Sequence, residues 1–392
     1  MTPHQQNRTA ARPGTGFVES LSEIGEDELS RLHTGRSFYV SRPWLRAVER
    51  LRSPDVAYVT HRDADSVLDG VLPLYRQRPS ASSPYDAFGT FLQHAGGFRA
   101  ADWSPSLLVG QSSAYSNEFL TAPTPDAQAV LQEMLHAADD KRREWGMSAL
   151  AALYLNESGV RQISGIEGMS ASLVCDVECE IDITFDSWEA YTRSLGKKRG
   201  WLVRREARLF QEAGYRVSGQ RLSELLDTSN DLFTKLQQKY GDNTSQEERA
   251  HYLRVLADET DDHSRLFVMR CGDDVLGVCL TFLWQDTMYV RQLGLDYERL
   301  AGVGEYFNLA IYEPIRHAIE HGFTRVHFGR SVYDGKMFRG AAARPLLGAC
   351  WSAAAGPPDT LPAFQDWNAD RAKSATSGDR SLIMAAFGSG QT

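Results

Sequence analysis

Two stretches of this chain, about 207 positions apart, follow the same plan, and that plan limits the folds open to it. Each reads as a helix and then a hairpin. In the first, Arg42 to Leu51 has helical periodicity and leads to strand residues Ala57 to Arg62, an acidic turn at Asp63 to Ser66, and strand residues Val67 to Tyr75 with Gly70 inside them. In the second, Gln246 to Ala257 leads to Leu266 to Arg270, a turn at Gly272 to Asp274, and Val275 to Trp284 with Gly277 inside them. A glycine early in the second strand of a hairpin suits a bulge or a close backbone approach. The repeat predicts two copies of one α/β unit in tandem. A helix from about Pro125 to Glu144 and a strand at Ser148 to Leu155 extend the first copy. Strand Thr287 to Leu295, helix Glu305 to His321 and strand Arg325 to Phe328 extend the second.

Length agrees with two units. At 392 residues and 42% hydrophobic, the chain can bury two cores of ordinary size, by the rule of about 150 residues per domain. Residues 1–16 and 371–392 are rich in polar and small residues and are expected to be a disordered N-terminus and a flexible tail. The boundary between the units is expected at 180/181, giving residues 17–180 and 181–370. No apolar run reaches the length of about 18 residues that a membrane span needs, and the N-terminus lacks a secretory h-region. The expectation is a cytoplasmic protein with no integral membrane association. Five scattered cysteines without a C-x-x-C pair indicate neither a disulfide framework nor a zinc site, so no metal is expected.

The net charge of −9 argues against coating DNA, but the charge is uneven. Arg193 to Arg208 carries Lys197, Lys198, Arg199, Arg204, Arg205 and Arg208 against the single acid Glu206. That is either a solvated helix face or a groove for a phosphate-rich partner, such as a nucleotide-bearing donor or a charged tRNA. A second anion-holding feature follows strand Thr287 to Leu295. There Arg299-x-x-Gly302-Val303-Gly304 opens a helix, so backbone N–H groups converge at a helix N-terminus. Beyond it, Tyr333, Lys336 and Arg339 recur every third residue before Gly340, a spacing that on a short helix would clamp a phosphate or carboxylate. Lys336 and Arg339 as helix caps or partners of nearby acids is the competing reading.

The turn resembles the acyl-CoA pyrophosphate loop of the GNAT acyltransferases. More specifically, Tyr306 to Gly322, with Phe328, Gly329, Lys336, Arg339, Gly340 and Pro345, resembles the C-terminal signature of GNAT-like "peptidoglycan biosynthesis/recognition" proteins, which are similar to the FemAB-like aminoacyltransferases. Phe185 to Arg199, with Arg204 and Arg205, resembles that group's basic helix. The match spans roughly residues 35 to 355. It implies two tandem GNAT-like domains with mixed, mostly antiparallel sheets flanked by helices, and an acyl group passed from an activated donor to an amine.

Acyl-CoA and aminoacyl-tRNA are the two co-substrates this resemblance allows, with no tightly bound cofactor; the retained glycine turn favours CoA. The acceptor is a small-molecule or peptide amine. Without the coiled-coil arm of longer Fem-type proteins, small-molecule and natural-product acceptors stay open beside the cell wall. A non-catalytic peptide or cell-wall recognition module is the rival outside enzymes. Transfer to an amine needs a polarised carbonyl, a neutral amine and a proton for the leaving group. Backbone N–H groups at Gln292 and Leu293 are candidates for the carbonyl. Asp296, as base or mere turn former, is a candidate for the amine's proton. Tyr306, Tyr312 and Tyr333 are candidates for the leaving group.

Overall fold

The computed structural model describes residues 13–77, 83–239 and 244–374. Its strands, in chain order, are β1 (Gly14–Val18), β2 (Val56–Arg62), β3 (Leu68–Arg76), β4 (Ser106–Val109), β5 (Leu120–Thr121), β6 (Ala149–Leu155) and β7 (Leu173–Asp182) in the first half. They continue with β8 (Tyr215–Gln220), β9 (Ser264–Cys271), β10 (Asp274–Trp284), β11 (Thr287–Leu295), β12 (Arg325–Gly329) and β13 (Ala342–Ser352). All join one sheet in the order β1-β2-β3-β4-β6-β13-β7-β12-β11-β10-β9-β8, with β5 beside β3.

Outward from its middle the sheet repeats itself, β6-β4-β3-β2-β1 on one side and β12-β11-β10-β9-β8 on the other. In each half the innermost pair, β4–β6 or β11–β12, is parallel and the outer pairs are antiparallel. A parallel pair needs a crossover. Helix Ala127–Glu144 supplies it in the first half. In the second, a helix runs from Glu305 through a π turn at Asn308–Tyr312 to His321. Gly70 and Gly277 do equal jobs beneath these helices. A Cβ on Gly70 would lie 2.8 Å from Met134 Sδ, and one on Gly277 would lie 2.9 Å from Leu309 Cδ2. Each glycine lets its crossover helix settle onto the sheet, and a register shift sits beside each.

The centre of the sheet corrects the expected boundary. β13, from the end of the chain, lies between β6 and β7 and is antiparallel to both, while β7 also pairs with β12. Position 180/181 therefore falls inside a strand, and each half borrows a strand from the other. The exchange leaves no open edge where the halves meet. The expected ends shift too. Gly14–Val18 is a strand on β2 rather than part of a disordered segment, and residues 1–12 lie outside the described residues. Helix Pro362–Ser374 covers part of the expected tail, with Arg371 Nε donating to Val174 O at 2.6 Å; residues 375–392 lie outside the described residues. No helix among the described residues is long and apolar enough to cross a membrane.

Candidate active site between parted strands

β11 and β12 stay in register for three residue pairs, Thr287 with Arg325, Met288 with Val326 and Tyr289 with His327, and then separate. A cavity of about 500 Å³ opens at the parting. On the β11 side, Leu280 faces Gln292 while Thr281 faces Val290, so Arg291 is an extra, bulged residue. A bulge re-aims the backbone, and here the stretch Val290 to Leu293 lines the cavity. Across the gap stand Phe328, Arg330, Ser331 and Val332, while Leu236, Tyr306 and Ile311 close the remaining walls. Ser331 and Val332 both take left-handed φ, 68° and 52°, a conformation that costs a β-branched residue steric energy and is found where local structure is over-determined.

That strained corner delivers Lys336. Its Nζ donates to the carbonyl oxygens of Phe328 at 2.9 Å, Gly329 at 3.2 Å and Arg330 at 2.8 Å, tying the end of β12 together beside the cavity. With Arg291 and Arg330 it makes three cations on a largely apolar wall whose lining includes no Asp or Glu. Arg291 donates to Ser113 O and to Tyr252 Oη, with Tyr115 and Trp44 rings 4.7 and 5.0 Å away. Burial pushes the Lys336 amine down to about 8, from about 10.4 in an unfolded chain. Between those values the unfolded state holds the extra proton, so stability rises with pH across about 8 to 10, by up to about 3 kcal/mol. Lys336→Met should lack that rise. Urea midpoints at pH 7.5 and pH 10 check it, and an equal rise in the variant would place its origin elsewhere.

The first half has the same parting and fills it. β4 and β6 also pair for three residues, after which Asn117 takes the gap. Its N–H donates to Tyr154 O, its carbonyl accepts from Asn156 N–H, and its Nδ2 donates to Val109 O. The segment that plugs one half reaches into the other. Tyr115 Oη donates to Arg291 O, and its ring lies over Gly329. The first half thus supplies one wall of the cavity in the second.

Residues 196–337 match the family described as acetyltransferase (GNAT) domain. The protein solved as FemX is similar in fold over 86% of this chain and 97% of its own, at 11% identity and TM-score 0.57. A conserved protein of unknown function from Bacteroides thetaiotaomicron covers 85% and 98% at 10% identity and TM-score 0.54. The C-terminal domain of a putative lysylphosphatidylglycerol synthetase from Agrobacterium fabrum covers 88% and 95% at 10% identity and TM-score 0.51. No curated protein matches the chain in sequence. The chain has a FemAB-like GNAT fold.

Within this GNAT fold the glycine turn has a tenant. Glu305, 3% exposed, accepts from Gly302 N–H at 2.8 Å and Val303 N–H at 2.9 Å, and Ala301 N–H donates to Tyr215 Oη. Gly302 and Gly304 do take positive φ, 76° and 88°. The converging amides are nevertheless used by the protein's own carboxylate, and Arg299 is paired with Asp274. The expected clamp also comes apart. On helix Tyr333–Phe338, Tyr333 Oη donates to Asp176, Lys336 faces β12, and Arg339 turns the other way to Glu206, Tyr312 and Gly335 O. A helix of one and a half turns spreads residues three apart enough to reach separate neighbours. Asp296 is buried against Lys235, with Nζ to Oδ2 at 2.6 Å, and does not line the cavity. Tyr312 is held by Glu206 and Arg339.

Of the residues singled out in sequence, the GNAT cavity gathers Gln292, Leu293, Tyr306 and Lys336. The basic helix, Gly196–Glu212, buries Gly200, Val203, Ala207 and Phe210 and exposes Lys197, Lys198, Arg204, Arg205 and Arg208. Arg199 is half-buried with its Nε on Leu195 O. Trp201, 57% exposed, stands among the exposed cations with the Arg205 guanidinium 5.7 Å from its ring. Sequence reading missed Arg291, Arg330 and Tyr115. Arg291 did carry a signal, a cation in the middle of a largely apolar strand. Tyr115 carried none, because its partners lie in the other half.

Proposed function

We propose that the parted strands are the transfer centre of an N-acyltransferase, in which an amine attacks the carbonyl of an activated acyl donor. The supporting observation is the apolar cavity with a bulged backbone, three cations and no carboxylate in its lining. Such a wall favours the negative charge that develops on the carbonyl oxygen and on the leaving group. In this reading Tyr306, on the cavity wall, returns a proton to the leaving oxygen or sulfur. The acceptor in this reading is an amine of a small molecule or peptide.

For the donor, a charged tRNA is the better fit. A pyrophosphate at Gly302 and Val303 would have to displace the Glu305 carboxylate and then sit beside it, and like charges in a shared site oppose one another. The basic helix offers an exposed ring ringed by cations, the combination that holds stacked bases and phosphates. Acyl-CoA is the second reading. Its support is the open space around Gly302, where an added Cβ would meet nothing within 4 Å, and a cavity that offers no carboxylate to the ammonium of an aminoacyl group.

Thermal unfolding with excess ligand separates the two, since a ligand bound only by the folded state raises the apparent midpoint. A charged tRNA pool should raise it for the native protein, and less at high salt or in a Trp201→Ala, Arg205→Ala double variant. Acetyl-CoA should act only after Glu305→Gln. A CoA shift in the native protein that vanishes in Gly302→Asp would reverse the donor assignment, and no shift with either would favour a recognition module.

A further inference from the structure

The cavity between the parted strands holds more positive charge than the fold balances. Arg291 donates from Nη2 to Ser113 O and Tyr252 Oη, neutral acceptors that leave its charge unmatched. Its other neighbours are aromatic faces, Tyr115 at 4.7 Å and Trp44 at 5.0 Å. The Lys336 ammonium likewise donates to three carbonyl oxygens. Arg330 has a carboxylate, Asp176, with Nη1 3.7 Å from Oδ2, and that carboxylate also accepts from Tyr333 Oη. Among the described residues, three cations are thus set against one carboxylate within ion-pair distance.

The two guanidiniums are open to the cavity rather than sealed. Both line it and both are half-buried. Neither has a nitrogen shut away from solvent without a partner, so the N–H groups that no hydrogen bond takes up remain accessible. A charge taken out of bulk water is costly unless it is matched. The charge that develops on a carbonyl oxygen lasts only through transfer and leaves the resting site unmatched, so the match is a permanent anion. Around the cations the wall is apolar. Leu236, Leu293, Ala310 and Ile311 line it, and Val332 and Tyr297, 45% and 38% exposed, carry that surface to the opening. Apolar surface left exposed at a cavity of this size is a mark of ligand binding.

We propose that this cavity binds an amino acid with an apolar side chain, its carboxylate held by Arg330 and Arg291, which share the Tyr115 ring at 5.7 and 4.7 Å. Guanidinium groups hold carboxylates through charge-assisted hydrogen bonds. A carboxylate is favoured over a phosphate because the surrounding wall is apolar, and a single charge costs less to desolvate there. The same cations oppose an ammonium beside the carboxylate, which favours the neutral amine, the form that attacks a carbonyl. On attack the nitrogen bonds to the acyl carbon, the bond from that carbon to the leaving oxygen or sulfur breaks, and the proton lost by the amine ends on the leaving atom. The role of the amino acid as acyl acceptor rests on the transfer reading, whereas its binding does not.

The test is titration calorimetry of the full chain with no donor present. The probes are L-phenylalanine, hydrocinnamate, which lacks the amine, phenethylamine, which lacks the carboxylate, and inorganic phosphate. Phenylalanine and hydrocinnamate should bind saturably and phenethylamine at least about tenfold more weakly, the change expected for one charge-assisted contact. Arg330→Gln should weaken hydrocinnamate by a similar factor. If that variant does not fold, Val332→Asp, a change at an exposed position that sets a negative charge at the opening, should weaken it in the same direction. No binding of either carboxylate overturns the proposal, as does phenethylamine or phosphate binding as tightly as hydrocinnamate, or hydrocinnamate binding unchanged in the variants. Carboxylate binding without acylation of phenylalanine, when acetyl-CoA or a charged tRNA pool is then supplied, would sink only the transfer reading. Equal acylation of phenylalanine and phenethylamine would sink only the carboxylate site.

Discussion

Arg339→Ala is expected to cost about 3–5 kcal/mol of folding stability, the loss typical of removing one partner from a buried ion pair. Arg339 is 3% exposed and uses its whole guanidinium. Nη2 donates to both Glu206 oxygens at 2.9 and 2.7 Å, Nε to Tyr312 Oη at 2.7 Å and Nη1 to Gly335 O at 3.0 Å, with the Phe307 ring 3.3 Å below. It thereby joins the basic helix, the crossover helix and helix Tyr333–Phe338. Without it the Glu206 carboxylate is left facing a half-empty apolar pocket. Denaturant unfolding of Arg339→Ala measures the loss, and an Arg339→Met, Glu206→Leu double variant should recover much of it, since well-packed apolar replacements of buried pairs are often neutral. The phosphate-clamp reading makes the opposite forecast: near-native stability with donor binding lost.

Gly329→Ala is expected to cost about 2–5 kcal/mol and to loosen the junction between the halves at the cavity. Two effects combine. Gly329 has φ +65°, which an L side chain adopts at a cost of about 1–2 kcal/mol. An added Cβ would also lie 2.5 Å from Tyr115 Cε2 and closer still to Cδ2, and overpacking of that kind costs about 1–3 kcal/mol. Tyr115 cannot simply swing away, because its hydroxyl is bonded to Arg291 O. In a Tyr115→Ala background the penalty of Gly329→Ala should fall to the backbone part alone. If the two changes add without coupling, Tyr115 is not packed on Gly329 in solution.

Much of the secondary structure was legible because its signals are local. Strand Thr287–Leu295 has the bounds its residues predict, and the helix begins at Glu305, directly after the glycine turn. Both hairpins and the repeat could be read from alternation, turn residues and the placing of Gly70 and Gly277. That Gln292, Leu293, Tyr306 and Lys336 come near one another was legible because each lies on or beside an element next to that turn, and all four line the cavity. The exchange of β7 and β13 was not, since apolar strands of similar composition do not declare their neighbours.

The amino-acid sequence by itself determined where the two hairpins, the glycine turn and the crossover helices lie, that they come in two copies, and which segments bring cations and glycines near one another. Tertiary structure decided what those groups do. It gave the turn's amides to Glu305, Arg339 to Glu206, Tyr333 to Asp176 and Arg299 to Asp274, and it brought Tyr115 to a carbonyl 176 residues away along the chain. The reason is energetic. A charge or polar group taken out of water must be matched at once, and its match is whichever group the packed fold buries beside it, at any distance along the chain.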